Sequence, residues 1–141
     1  MTSGKIVEAP RRIGLEAIPG CRYFPAYLDA AAQALILEDV RSLIQSAPLY
    51  RPHMPRSGRP FSVRMTNCGT LGWVSDKDGG YRYQAHHPET GASWPPIPEA
   101  ICKIWTDLAD YSGSPEACLI NFYDPLAKMG LHCDEDEQDM S

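Results

Sequence analysis

Apolar positions along the chain fall into two helical stretches, with strand-like runs between and after them. From Asp29, a side chain suited to an N-cap, Ala32, Ile36, Val40, Leu43 and Ala47 recur at helical spacing until Pro48 stops them. Residues 1–28 form a Pro-rich, weakly patterned arm in which one short strand is expected over Cys21–Pro25. Pro52, Pro55, Pro60 and the Ser57-Gly58 pair mark a loop. Beyond it Phe61, Val63 and Met65 alternate with Ser62, Arg64 and Thr66, the period of a strand with one apolar face. Asp78-Gly79-Gly80 reads as a turn and Tyr81-Arg82-Tyr83 as a strand after it, together an aromatic hairpin. After the loop 86–98, Ile101, Ile104, Trp105 and Leu108 share one helical face, and Gly113 is expected to close that helix. Ala117–Tyr123 and Ala127–His132 then read as strands joined by a turn at Asp124-Pro125. Two helices ahead of β-rich sequence, without an internal repeat, predict an α+β fold with helices laid on a sheet.

The 141 residues, 43% of them hydrophobic, suffice for one domain with its own core. No run approaches the roughly 18 apolar residues of a membrane span, and the start lacks the apolar stretch of a secretory signal. A cytoplasmic protein with no membrane partner is expected. Five cysteines without a CxxC pair indicate neither a disulfide framework nor a zinc knuckle, and reduced thiols are expected.

A net charge of −5 argues against a nucleic-acid partner until its distribution is considered. Arg41, Arg51, Arg56, Arg59, Arg64, Lys77 and Arg82 stand against only Asp76 and Asp78 in residues 41–82. The last ten residues carry Asp134, Glu135, Asp136, Glu137 and Asp139. The basic middle suits a phosphate backbone and equally suits a solvated face.

His132-Cys133-Asp134 carries the candidate chemistry. In an extended segment His132 and Asp134 point to one side, giving two of the three donors of a 2-His-1-carboxylate iron site, while Cys133 points away. The spacing alone is common. Its surroundings add more: Met65-Thr66-Asn67-Cys68-Gly69-Thr70-Leu71-Gly72-Trp73, Cys118-Leu119-Ile120-Asn121-Phe122-Tyr123-Asp124-Pro125 and Ala127–Glu137 stand in order. From about Ala30 onward the chain resembles the bacterial AlkB-type iron(II)/2-oxoglutarate dioxygenases, most closely after Met65.

The resemblance implies a double-stranded β-helix, or jelly roll, with N-terminal helices packed on the sheet, incomplete at the C-terminus. It implies one dioxygenase domain over 1–141, with a nucleotide-recognition lid at about 49–87. The implied cofactors are Fe(II) and the co-substrate 2-oxoglutarate. His132 and Asp134 would be iron ligands, and Asn121 and Tyr123 would contact 2-oxoglutarate. Both side chains can donate to carboxylate oxygens, although a Tyr at such a place also serves as core or rim. Trp73 and Tyr81 match the lid, where an aromatic ring stacks on the damaged base and a phenol lies near the backbone; a Trp packed beneath a hairpin is the alternative. Asp136 matches an acidic position near the base's polar edge. Glu135 and Glu137 read as solvated surface. His86 and His87, being adjacent, diverge and fall in the lid rather than at iron. Trp94 and Trp105 are expected to pack, and His53 to lie on the surface.

The implied function is oxidative dealkylation of N-alkylated bases, with alkylated DNA, or RNA, as the partner and a monomer as the complete protein. The chain ends before the family's second iron-binding His and its 2-oxoglutarate-clamping Arg residues, for no Arg follows Arg82 and no His follows His132. A gene fragment or frameshift, inactive by itself, is therefore expected. Cys133 departs from the family's common amide and is an oxidation liability beside iron. Two other readings remain: an inactive fragment that keeps a nucleic-acid-binding surface, and a dioxygenase of the same superfamily acting on protein or a small molecule.

Overall fold

A computed structural model describes residues 15–134, with side chains from residue 18 onward. Strands β1 (Leu15–Ile18) and β2 (Cys21–Tyr23) precede helix α1 (Ala30–Ser46). Strands β3 (Arg64–Gly69), β4 (Gly72–Asp76) and β5 (Gly80–Gln84), helix α2 (Glu99–Leu108) and strand β6 (Ala117–Phe122) follow. The chain divides into two compact units, residues 1–34 and 35–141. In the first, β1 and β2 pair antiparallel, so the arm holds two strands where one was expected. Gly20 makes this possible by taking φ +79° in the connecting turn.

Helix α1 starts where Asp29 Oδ1 accepts a hydrogen bond of 2.8 Å from the Ala32 amide. Of its expected inner face, Leu43 and the following Ala47 are buried while Ile36 and Val40 are half-buried. Pro48 ends it, and side chains distant in sequence satisfy the two carbonyls just past its end. The Thr66 hydroxyl donates to the Ala47 carbonyl at 2.8 Å, and His87 Nε2 lies 2.8 Å from the Pro48 carbonyl. His87 Nδ1 accepts from the Glu89 and Thr90 amides, so Nε2 carries the proton that Pro48 receives. This buried histidine is a structural clamp.

Strands β3 and β6 pair antiparallel from Arg64↔Phe122 to Gly69↔Ala117. Tyr50 exchanges both backbone hydrogen bonds with Met65, covering the other side of β3. The strand expected from Phe61 begins at Arg64 instead, because the 61–63 segment is held by the Arg51 guanidinium on the Phe61 and Ser62 carbonyls rather than by a ladder. Alternation stops at Met65: Thr66, Asn67 and Cys68 are all buried, so both faces of β3 are covered. Two close approaches require glycine here. A β-carbon on Gly69 would collide with the Glu116 carbonyl, and one on Gly72 with the Trp94 indole.

Strands β4 and β5 form the expected hairpin, with Trp73↔Tyr83 and Ser75↔Tyr81 in register. Its turn is held by Asp76, which accepts from the Gly79 amide at 2.6 Å and the Asp78 amide at 3.1 Å, and binds Arg82 at 2.7 Å. Leu43, Ala47, Tyr50, Cys68, Val74 and Trp94 form the core cluster, with Ile97, Cys118 and Ile120 packed against it. The indole N–H of Trp94 is satisfied by the Gln84 carbonyl at 2.8 Å.

Helix α2 ends at Leu108, short of Gly113, with Ala109 extended. The Gly113 carbonyl instead receives the Trp105 indole N–H at 2.8 Å, so the glycine shapes the following loop. The strand expected over 127–132 is absent: residues 127–134 are irregular. Among the described residues no strand lies alongside to exchange a ladder with them; the Ser62 hydroxyl donates to the Lys128 carbonyl and accepts from its amide, both at 2.9 Å. The result is an α+β arrangement of two helices and small antiparallel two-stranded sheets among the described residues.

The Gly79 amide, and next the Arg82 guanidinium, hold the Asp76 carboxyl below its ordinary value. Its folded pKa is thus lower than its unfolded one, so its contribution is complete above about pH 4 and is lost as acid titrates it through the lowered value. Asp76→Asn is expected to loosen the β4–β5 turn at neutral pH and to flatten the acid limb of the stability profile. Urea midpoints measured across that range check both effects; an unchanged limb would mean that the turn is held otherwise.

Candidate functional site

One cavity of about 890 Å³ is lined by the loop before β3, by β3 to β6 and by the 128–134 segment. Trp73, Tyr81, Asn121, Tyr123, His132 and Asp134 all line it. Asp136 lies outside the described residues, as do Glu135 and Glu137. A second cavity of about 750 Å³, lined by residues including Trp94, Trp105 and Tyr111, has no charged lining and holds none of the nominated residues.

The aromatic wall begins with a buried amide. Asn67 Nδ2 donates to the Trp73 carbonyl and Asn67 Oδ1 accepts from the Trp73 amide, both at 2.9 Å. The amide thereby imitates a β-ladder partner across the bend between β3 and β4, and the Tyr50 hydroxyl adds a 3.2 Å bond to the same carbonyl. Burial pushes the Tyr50 phenol upward, so it stays a neutral donor. With its backbone pinned, Trp73 stacks on Tyr81 at 5.4 Å and 27°, and Phe61 leans on it at 6.2 Å. Tyr81 stands diagonal to Trp73 on the same hairpin face, one ladder step on. Trp73 is half-buried and Tyr81 is 44% exposed. The rings are neither sealed in the core nor fully solvated.

Strand β6 supplies the opposite chemistry through its period of two. Cys118 and Ile120 pack against the core, while Leu119, Asn121 and Tyr123 line the cavity. Asn121 is paired with Met65 of β3, and Tyr123 lies one residue past the strand. Asp124 anchors the exit by binding Arg64 at 3.2 Å and Arg51 at 3.5 Å, and Arg64 also lies 4.7 Å over the Phe122 ring.

These pairs change the reading of the basic middle. Arg51 and Arg64 face Asp124, and Arg82 faces Asp76, so three of its seven cations have internal carboxylates. Arg59, from that stretch, and Lys128, from outside it, line the cavity.

His132 and Asp134 approach each other, Nε2 to Oδ1, at 3.5 Å on an exposed segment. His132 Nδ1 lies 2.8 Å from the Gly130 carbonyl, which can only accept, so Nδ1 is the protonated nitrogen. That leaves Nε2 as the ring nitrogen facing the carboxylate oxygen. Two such donors, each about 2.1 Å from one first-row ion, lie about 3 Å apart at a right angle. An imidazole with its second nitrogen held by a carbonyl, next to a carboxylate, is thus a fitting pair for a divalent cation. Among the described residues no cluster of three or more His, Cys, Asp or Glu joins them.

Sequence reasoning missed the pinning of Trp73 by Asn67 and Tyr50, and also Phe61, Met54, Arg59 and Lys128 as cavity residues. A buried Asn flanked by Thr66 and Cys68 was the available sign for the first. His86, His53 and the loop around His87 contribute nothing to the cavity lining.

Residues 20–141 match the family model described as the 2OG-Fe(II) oxygenase superfamily. The chain is 44% identical over 125 residues to "Alpha-ketoglutarate-dependent dioxygenase AlkB homolog" of Caulobacter vibrioides, covering 89% of this chain and 56% of that protein. It is 39% identical over 126 residues to "Alpha-ketoglutarate-dependent dioxygenase AlkB" of Salmonella typhimurium, covering 86% of this chain and 57% of that one. With the Escherichia coli protein of the same name it shares 40% identity over 114 residues, 78% of this chain and 51% of the relative. The chain therefore spans about half the length of the curated relatives it matches.

Asn67→Ala removes two buried hydrogen bonds to one residue. It is expected to cost about 2 to 3 kcal/mol. Urea unfolding should show a lower midpoint at an unchanged slope. A wild-type midpoint would show that the β3–β4 bend holds without this amide.

Proposed function

The chain belongs to the 2OG-Fe(II) oxygenase superfamily, and from that premise we propose that it serves oxidative dealkylation of N-alkylated bases in DNA, with RNA as the alternative polymer. The observation that carries the reading is one cavity lined at once by stacked Trp73 and Tyr81, by Asn121 and Tyr123, and by the His132–Asp134 pair. The relatives' names, AlkB and AlkB homolog, support it.

In this reading Trp73 offers its face to a base taken out of the stack, with Tyr81 backing the indole and presenting its hydroxyl toward the strand. The amide of Asn121 and the phenol of Tyr123 donate hydrogen bonds to 2-oxoglutarate carboxylate oxygens. Arg59 and Lys128 bring positive charge to the rim of the same cavity. His132 Nε2 and Asp134 Oδ1 hold iron(II), with the Gly130 carbonyl fixing the imidazole tautomer. Bound iron with 2-oxoglutarate and dioxygen supplies the oxidation of the N-linked carbon, whose product sheds that carbon as an aldehyde. The protein's own part is to place the base, orient the co-substrate and exclude water.

The small sheets are then parts of a double-stranded β-helix, within one dioxygenase domain whose lid spans about residues 49–87. Two donors hold a metal more weakly than three, and the described residues supply two. That observation also favours a second reading, a surface that binds alkylated nucleic acid without turnover.

A succinate-release assay on N-methylated single-stranded DNA with iron(II), ascorbate and 2-oxoglutarate separates these readings. The 141-residue chain is expected to show no turnover, and a chimera continued by the portion of the Caulobacter relative outside the match is expected to be active. His132→Ala in the chimera should abolish activity, and Trp73→Ala should raise KM for the oligonucleotide. A chimera that turns over 2-oxoglutarate without demethylating the DNA would overturn the substrate assignment. Robust iron-dependent turnover by the short chain would overturn the ligand count.

A further inference from the structure

Two free thiols, Cys68 and Cys118, stand directly opposite each other on the β3–β6 ladder. Directly opposed residues in an antiparallel pair have Cα atoms about 4.5 or 5.5 Å apart and project to the same face. Both spacings fall in the range that a disulfide spans without moving the backbone, about 4.4 to 6.8 Å. Cys68 belongs to the core cluster and Cys118 packs against it, so both side chains lie on the core side of the sheet. The Cys68 thiol reaches across the ladder to the Cys118 carbonyl at 3.8 Å. Cys68 is wholly buried and Cys118 half-buried, so Cys118 is the more accessible of the two.

We propose that Cys68 and Cys118 form a reversible oxidation site, closing to a cross-strand disulfide with hydrogen peroxide as the oxidant. The Cys118 thiolate attacks one peroxide oxygen; the O–O bond breaks, hydroxide leaves, and Cys118 becomes a sulfenic acid. Cys68 sulfur then attacks the Cys118 sulfur, the S–O bond breaks, and the Cys68 proton leaves with the hydroxyl as water. In sum two thiols and one peroxide give one disulfide and two waters, each sulfur losing one electron.

The chemistry of the pair favours this order. The neighbouring Cys68 thiol draws the Cys118 thiol below its ordinary value, while that pairing and burial push Cys68 up. One sulfur is thus readied as nucleophile toward peroxide while the other waits as the resolving thiol. Cys102 is the alternative partner, but its own thiol is directed to the Ile97 carbonyl at 3.8 Å, within its own segment. The bond would lie near the start of β6, three residues before Asn121, on the strand that lines the cavity. The inference stands on the ladder alone and does not depend on which substrate the cavity takes.

The test uses the full chain with the exposed Cys21 and Cys133 changed to Ser, which leaves three thiols. After mild peroxide treatment, alkylation under denaturing conditions is expected to find one free thiol, and peptide mass spectrometry a linked pair containing Cys68 and Cys118, lost on adding dithiothreitol. Adding Cys102→Ser should leave the link intact, and adding Cys118→Ser or Cys118→Ala should abolish it. Three free thiols after treatment, a link through Cys102, or Cys118 carried to sulfinic acid while Cys68 stays free would each overturn the proposal. The link is read in a chain whose Cys68 and Cys118 are both native, so misfolding of a variant cannot mimic it.

Discussion

The Asn67 side chain holds the Trp73 main chain by two hydrogen bonds of 2.9 Å, and the Tyr50 hydroxyl adds a third contact to the same carbonyl. Asn67 is fully buried. A buried amide left unmatched would cost a large fraction of a small domain's stability, so its position is tightly determined. Met65 on the same strand exchanges backbone bonds with Tyr50, and Thr66 closes the end of α1. Three successive residues of β3 thus fix the loop before it, the helix behind it and the hairpin after it. The cavity inherits this order: its aromatic wall stands on Trp73, and its other wall on β6, the ladder partner of β3.

What could be read in the sequence depended on how local the cause was. The N-cap at Asp29, the stop at Pro48 and the Asp-Gly-Gly turn follow from neighbours in the chain, and each is where its pattern put it. The errors fall where a distant partner decides. Phe61 to Val63 have strand alternation, but Arg51 holds the Phe61 and Ser62 carbonyls, and the ladder starts at Arg64. Ala127 to His132 look like a strand, yet a ladder needs a neighbour, and their tether is the Ser62 hydroxyl. Gly113 has the signature of a helix cap, but composition cannot show that its carbonyl answers the Trp105 indole.

The site was legible in its members more than in its support. The period of two put Asn121 and Tyr123 on one side of the chain, whereas His132 and Asp134 meet in an irregular segment rather than on the expected strand; the structure brings all four to one cavity with Trp73 and Tyr81. Charge was the poorer guide. A run of basic residues says nothing of which carboxylates lie across the fold, and Asp124 and Asp76 pair with three of them. Arg59 and Lys128, 69 residues apart in the chain, share the cavity through tertiary placement.

A metal bound by His132 and Asp134 would share its site with the aromatic wall at Trp73. Labelling the chain with fluorotryptophan and titrating manganese(II), a paramagnetic stand-in that accepts the same nitrogen and oxygen donors, measures this without turnover. Fluorine NMR would resolve the three tryptophans, with the Trp73 line assigned by its loss in Trp73→Phe. The Trp73 line is expected to broaden first, ahead of Trp94 and Trp105, and His132→Ala or Asp134→Ala to abolish the effect. Equal broadening of all three lines, or broadening of Trp73 that survives both substitutions, would contradict it.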